Sequence, residues 1–219
     1  MPAQTLPNVG TDLIRIHKVV TRALEVARQN SQDAGLKEAD RAGFAAYVRA
    51  LTILLDSHHL GEDELAFPFW RTRLPDGPFD RLKQQHRQMS AYFGQIKGWL
   101  VAPETAWQPA AQSKLNHTLT YLQRLWLKHI GLEEATIGPE NARLYLTPEE
   151  NGQLARSLAE HSLTHSQPNE LVMPFVIYNL AGEDRAEFVK QMPPVMVEQL
   201  VPYAWKATWA PMSPFLLAE

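Results

Sequence analysis

Four stretches of the chain between Asp12 and Pro139 carry apolar residues at intervals of three and four. This spacing is typical of helices that bury one face and leave the other in water. The clearest stripe consists of Phe79, Leu82, His86, Met89, Phe93, Ile96 and Leu100. Because short segments join the four stretches, they predict an all-α protein built on an antiparallel up-down-up-down four-helix bundle.

The ends of the predicted helices follow from local signals. The first helix is expected to start at a cap formed by Thr11 or Asp12 and to fade in the polar run 29–35. The second is expected to stop near Phe67-Pro68, and the fourth to close at Gly138-Pro139.

Each predicted helix has one histidine in its apolar stripe, where an aliphatic side chain would pack better. Two helices add a glutamate one turn later. The six residues are His17, His58, Glu62, His86, His129 and Glu133. A lone histidine on an apolar face is usually a core residue with a hydrogen-bond partner, whereas a buried carboxylate without a partner costs several kcal/mol. A pair of cations would neutralise the carboxylates and bind every imidazole, so the six residues predict a metal site.

The composition narrows the chemistry of such a site. The 219 residues include no cysteine, which excludes disulfides, thiolate zinc sites and iron–sulfur clusters. Histidine and carboxylate ligands suit iron, manganese or zinc. The net charge is -3, and no apolar run reaches the ~20 residues of a membrane span. We therefore expect a soluble, cytoplasmic protein that binds neither nucleic acid nor membrane, and the N-terminus shows no signal-peptide core.

From His165 onward the chain becomes rich in proline, with seven of its 16 prolines in the last 55 residues. We predict a bundle domain over residues 1–140 and a C-terminal helical extension over residues 141–219 that packs on it. The capping box Thr147-Pro148-Glu149-Glu150 predicts a fifth helix. Short helices are expected over residues 169–180, 185–191 and 194–208, and an extended end over 210–219. Two roles are open to this extension: it covers an entrance to the site, or it forms a contact in a homodimer.

The histidine and acid motifs resemble those of the hemerythrin-like, or HHE cation-binding, family. The resemblance covers about residues 12–139. It is carried by His17, by His58-His59-Leu60-Gly61-Glu62-Asp63-Glu64 with Phe67-Pro68, by His86, and by His129-Ile130-Gly131-Leu132-Glu133-Glu134. The resemblance implies a non-haem di-iron site in which Glu62 and Glu133 bridge two iron ions. The same match implies that the terminal ligands are His17, His58, His86 and His129.

The chain departs from the classical oxygen carriers that it resembles. Those proteins are expected to carry a His-x-x-x-His pair on the third helix, but Ser90 stands four residues after His86. One imidazole fewer predicts an open or water-filled position on one iron, as in catalytic metal sites. Tyr47, Glu134 or water is left to complete the coordination. Glu133 and Glu134 compete for the last carboxylate position, and the helical face favours Glu133.

Other polar residues near the motifs are predicted to lie outside the ligand set. His59 points about 100° away from His58 on a helix, which places it behind the ligands or in solvent. Asp63 and Glu64 are expected to be surface charges. His161 and His165, four residues apart on the fifth helix, have the spacing of a second metal pair, but no carboxylate shares their stripe, so a surface or capping role is favoured.

Two classes of function are compatible with such a site, and the sequence leaves open whether the protein is an enzyme. An open iron position suits a redox enzyme that breaks down peroxide or reduces nitric oxide. The alternative is a module that binds or senses dioxygen, nitric oxide or iron without turnover, because no acid–base pair, nucleotide loop or nucleophile motif stands outside the predicted ligands. A metal-free scaffold is the third hypothesis.

Overall fold

The computed structural model describes residues 8–32 and 36–217, and these parts contain helices and no β-strand. This confirms the all-α prediction. The α-helices are α1 Val9–Gln32, α2 Glu38–Gly61, α3 Phe67–Arg71, α4 Phe79–Leu100, α5 Pro103–Ala106, α6 Pro109–Ile137, α7 Pro139–Tyr145, α8 Pro148–His165, α9 Asn169–Asn179, α10 Gly182–Lys190 and α11 Lys206–Trp209. The four long helices of the bundle are α1, α2, α4 and α6.

The first helix is longer than predicted at both ends. It begins at Val9, because the side-chain oxygen of Asn8 accepts the amide of Thr11 at 3.0 Å and so caps the helix earlier. It continues to Gln32, so residues 29–32 of the predicted loop are helical. Residues 33–35 of that loop lie outside the described residues.

Two side-chain contacts fix the relative direction of α1 and α6. Gln123 donates a hydrogen bond to Glu25 at 2.8 Å, and Trp126 donates one to Thr21 at 2.9 Å. The later residue of α6 contacts the earlier residue of α1, so the two helices run in opposite directions. Each of α1 and α4 packs on both α2 and α6.

The contacts between α2 and α4 have the same opposed order. Lys97 forms an ion pair with Asp56, and Lys83 donates to the carbonyl oxygen of Asp63 at 2.9 Å. The early turns of α1 and α4 therefore lie level with the late turns of α2 and α6. This level carries the inward histidines of all four helices.

The second helix does not stop near Phe67-Pro68 as predicted. It passes through a π-helical segment, Glu62–Ala66, and continues as α3. The amide of Phe67 bonds the carbonyl oxygen of Glu62, one residue further back than in an α-helix. Pro68 has no amide hydrogen to donate and stands at the start of α3, directly after the π-helical segment.

The C-terminal extension is mostly helical, with short non-helical breaks between its helices. Thr147 and Glu150 form the predicted capping box at the start of α8. The predicted helix over 194–208 divides into a π-helical segment, Met196–Ala204, and α11. The extended end predicted for 210–219 is wrong, since Ala210–Phe215 forms a 3₁₀-helix, and residues 218–219 lie outside the described residues. Met212 and Phe215, three residues apart, bury on the same face of that helix.

The extension and the bundle share a hydrophobic core. Phe175 of α9 packs against Tyr47 of α2, with ring centroids 4.9 Å apart, and Phe215 packs against Phe44 at 5.5 Å. The 3₁₀-helix lies so close to α2 at Gly43 that a Cβ there would collide with the carbonyl of Pro211. The boundary at residue 140 stays a prediction. Over the described ranges, no helix is long and apolar enough to cross a membrane.

Candidate metal centre

The structure brings the six residues predicted as ligands to one level of the bundle and adds His59. In the described part of the chain, two groups of histidine and glutamate side chains have ligand atoms within 4.8 Å of one another. The first group is His59, Glu62, His86 and His129; the second group is His17, His58, Glu62 and Glu133. Glu62 belongs to both groups. All four bundle helices contribute, and the π-helical segment supplies Glu62.

The distances between the groups' nitrogen and oxygen atoms match those of ligands around a shared cation. A cation that binds two adjacent ligands at ~2.1 Å sets their atoms roughly 3 Å apart. The observed distances are 3.1 Å from His58 Nε2 to Glu62 Oε1, 3.3 Å from His86 Nε2 to Glu62 Oε2, 3.3 Å from His17 Nε2 to Glu133 Oε2, and 3.2 Å from His129 Nε2 to Glu133 Oε2. Glu62 thus directs one oxygen to each group.

The imidazoles of His86 and His129 direct the lone pairs of their Nε2 atoms at each other. The Nδ1 of His86 lies 3.0 Å from a carboxylate oxygen of Asp63, and the Nδ1 of His129 lies 3.1 Å from the amide oxygen of Gln85. Because these oxygens accept, both Nδ1 atoms donate and both Nε2 atoms carry lone pairs in the neutral rings. The two Nε2 atoms are 3.1 Å apart. Such an approach is repulsive unless a cation or a proton lies between them.

Buried polar atoms without partners converge on the same place. Among the described residues no hydrogen bond of good geometry reaches His17 Nε2, His58 Nε2, either ring nitrogen of His59, or either carboxylate oxygen of Glu62 and Glu133. Each such atom costs about 1–3 kcal/mol when it is buried without a partner. A cation would satisfy these atoms together, so the donor set fits a metal.

Burial and close contacts shift the pKa values of three groups in the centre. Burial lowers the pKa of His17, but its contacts with Glu133 and Glu134 outweigh burial and raise it to about 9. Burial raises the pKa of Glu62 well above its usual value, and the charge of Glu133 raises it further. Burial also acts to raise the pKa of Glu133, but the imidazoles of His129 and His17 hold it well below the usual value. Three ionisable groups with strongly shifted pKa values thus lie together, as expected where ligands lose their protons to a cation.

His59 lies where the sequence argument did not place it. It is buried, and its ring stacks on His86 with centroids 4.0 Å apart. Side chains of neighbouring residues on a helix point about 100° apart, so His58 and His59 would not both reach one small site. The potential ligands form two groups and not one, so His58 reaches the second group while His59 reaches the first. The signal available in the sequence was the His-His pair itself.

Neither of the two side chains left to complete the coordination, Tyr47 and Glu134, is directed at the two groups, and Ser90 bonds its own helix. The Tyr47 hydroxyl donates to Asn179 at 2.8 Å and accepts from Arg22 at 3.3 Å, so it is held by the extension and not by the metal groups. Glu134 turns outward to the Nδ1 of His17, at 2.7 Å. Ser90 bonds the carbonyl oxygen of His86 in its own helix, at 3.0 Å.

Two acids that were expected to be simple surface charges contact histidines. Asp63 contacts His86, and Glu64 lies 3.0 Å from the Nε2 of His161. His161 also stacks on His165, with centroids 4.2 Å apart. Neither of these two histidines belongs to a group of potential ligands within the described ranges.

Aromatic side chains surround the centre. Trp126 meets His17 edge to face, with centroids 5.1 Å apart, and Phe67 stacks on His86 at 5.4 Å. The indole nitrogen of Trp126 is occupied by Thr21. The potential ligands lie behind these rings and all but His58 are buried, and a low local dielectric would strengthen their interactions with a cation.

The comparisons with known proteins agree with this geometry. No curated protein and no solved structure matches the chain. A family model described as the hemerythrin HHE cation binding domain matches residues 10–141, which is more than half of the chain, and the protein therefore belongs to the hemerythrin HHE cation-binding family.

Proposed function

We propose that this chain binds two iron ions that share Glu62 and Glu133 as bridging carboxylates. His59, His86 and His129 would bind the ion of the first group, and His17 and His58 the ion of the second. The observation that supports bridging best is the orientation of Glu62, whose Oε1 lies 3.1 Å from His58 Nε2 and whose Oε2 lies 3.3 Å from His86 Nε2. One carboxylate thus faces both groups.

The identity of the ions is proposed from the donor atoms. Imidazole and carboxylate ligands without thiolate suit iron, manganese and zinc. Membership of a cation-binding family supports a metal at this centre. Elemental analysis of protein from iron-replete cells tests the proposal: we expect about two iron ions per chain, and protein without stoichiometric metal would leave the metal-free scaffold as the remaining hypothesis.

The proposed activity concerns small oxidants such as dioxygen, hydrogen peroxide or nitric oxide. Position 90 carries a serine and offers no imidazole, but His59 brings a third imidazole to the first group. The second group has one imidazole fewer than the first, so we assign the open position to its ion. When bound, a pair of iron ions supplies electrons and Lewis acidity to such a molecule. The chain supplies a buried set of imidazoles bordered by the rings of Trp126 and Phe67.

Turnover and simple binding remain two proposals that one experiment separates. A redox enzyme mixed with hydrogen peroxide should evolve oxygen over many cycles. A binding or sensing module should instead give a stable change in its optical spectrum without continued oxygen release. Binding without turnover is favoured because the polar side chains next to the ligands are already engaged and are not free to move protons. Asp63, Gln85 and Glu134 each contact the outer nitrogen of a ligand histidine.

Two further expectations about the whole protein remain predictions. These are the cytoplasmic location and a homodimer contact made by the C-terminal extension. Sedimentation of the metal-loaded protein would test the second, because a homodimer has twice the mass of the 24.8 kDa chain.

A further inference from the structure

We propose that Asp63 and Glu134 are positioning residues, one for each ion of the proposed centre. The inference rests on the proposed function and concerns the outer nitrogens of the ligand histidines. Asp63 Oδ1 lies 3.0 Å from His86 Nδ1, and Glu134 Oε1 lies 2.7 Å from His17 Nδ1. His86 belongs to the first group and His17 to the second.

The two acids occupy equivalent places in the halves of the bundle. Asp63 directly follows Glu62, and Glu134 directly follows Glu133. In each pair the first acid is buried and turned into the centre. The second acid is about one-third exposed, at 33% and 34%, and reaches across to a histidine of a neighbouring helix. The histidine in each case comes from a helix that supplies no ligand carboxylate.

The contact determines which nitrogen of the histidine faces the cation. A carboxylate that accepts the Nδ1 hydrogen fixes the tautomer and leaves the Nε2 lone pair directed into the centre. Its negative charge also makes the imidazole a stronger donor to a cation. His129 has the neutral amide of Gln85 in the same position, so the two acids place one carboxylate-backed histidine in each group.

A separable effect on the two ions follows from this placement. Removing the charge of Asp63 weakens the ion bound by His86, and removing that of Glu134 weakens the ion bound by His17. Outer partners of metal-bound histidines typically change metal affinity by about 10–100-fold. An effect of charge alone, acting through space, would weaken both ions in either variant.

The experiment uses the full chain, stripped of metal and titrated with zinc(II) in competition with a chromophoric chelator. The variants are Asp63→Asn, Glu134→Gln and the double variant. Glu64→Gln is the matched control, because Glu64 is the next acid after Asp63 and contacts His161 instead of a ligand histidine. We expect each single variant to weaken one of two zinc ions by about 10–100-fold, the double variant to weaken both, and the control to match the wild type.

A second measurement reports the contact itself and does not depend on affinity. In the zinc-loaded protein, the Nδ1 proton of the carboxylate-backed histidine gives a strongly downfield NMR signal. Asp63→Asn should move the signal of His86 and leave that of His17 in place, and Glu134→Gln should do the reverse.

The outcomes distinguish this inference from the proposed function. Wild-type protein that binds no zinc, iron or manganese refutes the proposed function and this inference with it. Wild-type protein that binds two ions while both variants keep its affinities and NMR signals refutes only the positioning role, as does an equal loss in Glu64→Gln. If Asp63→Asn does not fold, Glu134→Gln carries the same test at the other ion.

Discussion

Replacing His59 by leucine should have opposite effects on the metal-free and the metal-loaded protein. The ring of His59 is buried between His86 and Phe93, and neither nitrogen has a hydrogen-bond partner among the described residues. Without a cation it is a polar group buried in an apolar place. With a cation it is one of the three imidazoles proposed to bind the ion of the first group.

The size of both effects follows from these contacts. Unpaired buried polar atoms cost about 1–3 kcal/mol each, so His59→Leu should stabilise the metal-free protein by about 2 kcal/mol. For a chain of this size that raises Tm by about 4–8 °C. Structural zinc sites bind the ion with about 10–16 kcal/mol, so one ligand in a set of four or five accounts for about 3 kcal/mol. The variant should therefore bind the first ion about 100-fold more weakly.

Thermal unfolding with and without metal measures both effects. Tm is recorded for the wild type and for His59→Leu in excess chelator, and again with saturating zinc(II) or anaerobic iron(II). His161→Ala is the control, because His161 is a histidine of the same chain outside both groups, and its metal content should be unchanged. A loss of stability in His59→Leu that is the same with and without metal would mean that His59 is an ordinary core residue.

The remaining predictions concern other parts of the centre and the extension. Glu62→Gln should lose both ions, since Glu62 belongs to both groups, and retention of one ion on elemental analysis would contradict the bridge. Tyr47→Phe should keep both ions and lose about 1 kcal/mol of stability in urea unfolding, because its hydroxyl bonds the extension; loss of an ion would make it a ligand. Metal affinity in chelator competition should rise from pH 7 to pH 9, because His17, with a pKa of about 9, must lose a proton before it binds a cation; affinity independent of pH would exclude this. Gly43→Ala should displace the helix at Pro211 and cost about 1–3 kcal/mol with metal retained, and unchanged urea unfolding would refute the close contact.

Arg22 of the bundle forms hydrogen bonds that hold the C-terminal extension in place. Arg22 of α1 donates to the carbonyl oxygen of Phe215 at 3.1 Å and also bonds Asn179 of α9. The last helices are thus held to the bundle by a polar contact as well as by the shared core. This contact involves Tyr47 and explains why that residue faces the extension and not the metal groups.

Local periodicity determined the helices and their inward residues. The alternation of apolar residues by three and four is a property of the chain itself, so it gave the four long helices and the histidine of each before any fold was known. It also gave Glu62 and Glu133, because residues one turn apart share a face. The capping box at Thr147 was recognisable because its two bonds join residues only three apart.

Only the tertiary structure decided what depends on distances between helices. The inclusion of His59 required the arrangement of the potential ligands in two groups, which no single helix contains. The contacts of Asp63 with His86 and of Glu134 with His17 join residues 23 and 117 positions apart, and no local pattern indicates them. The turn of Tyr47 towards Asn179, 132 residues later, is of the same kind. Periodicity shows which side of a helix is buried, but the partner on that side is set by packing.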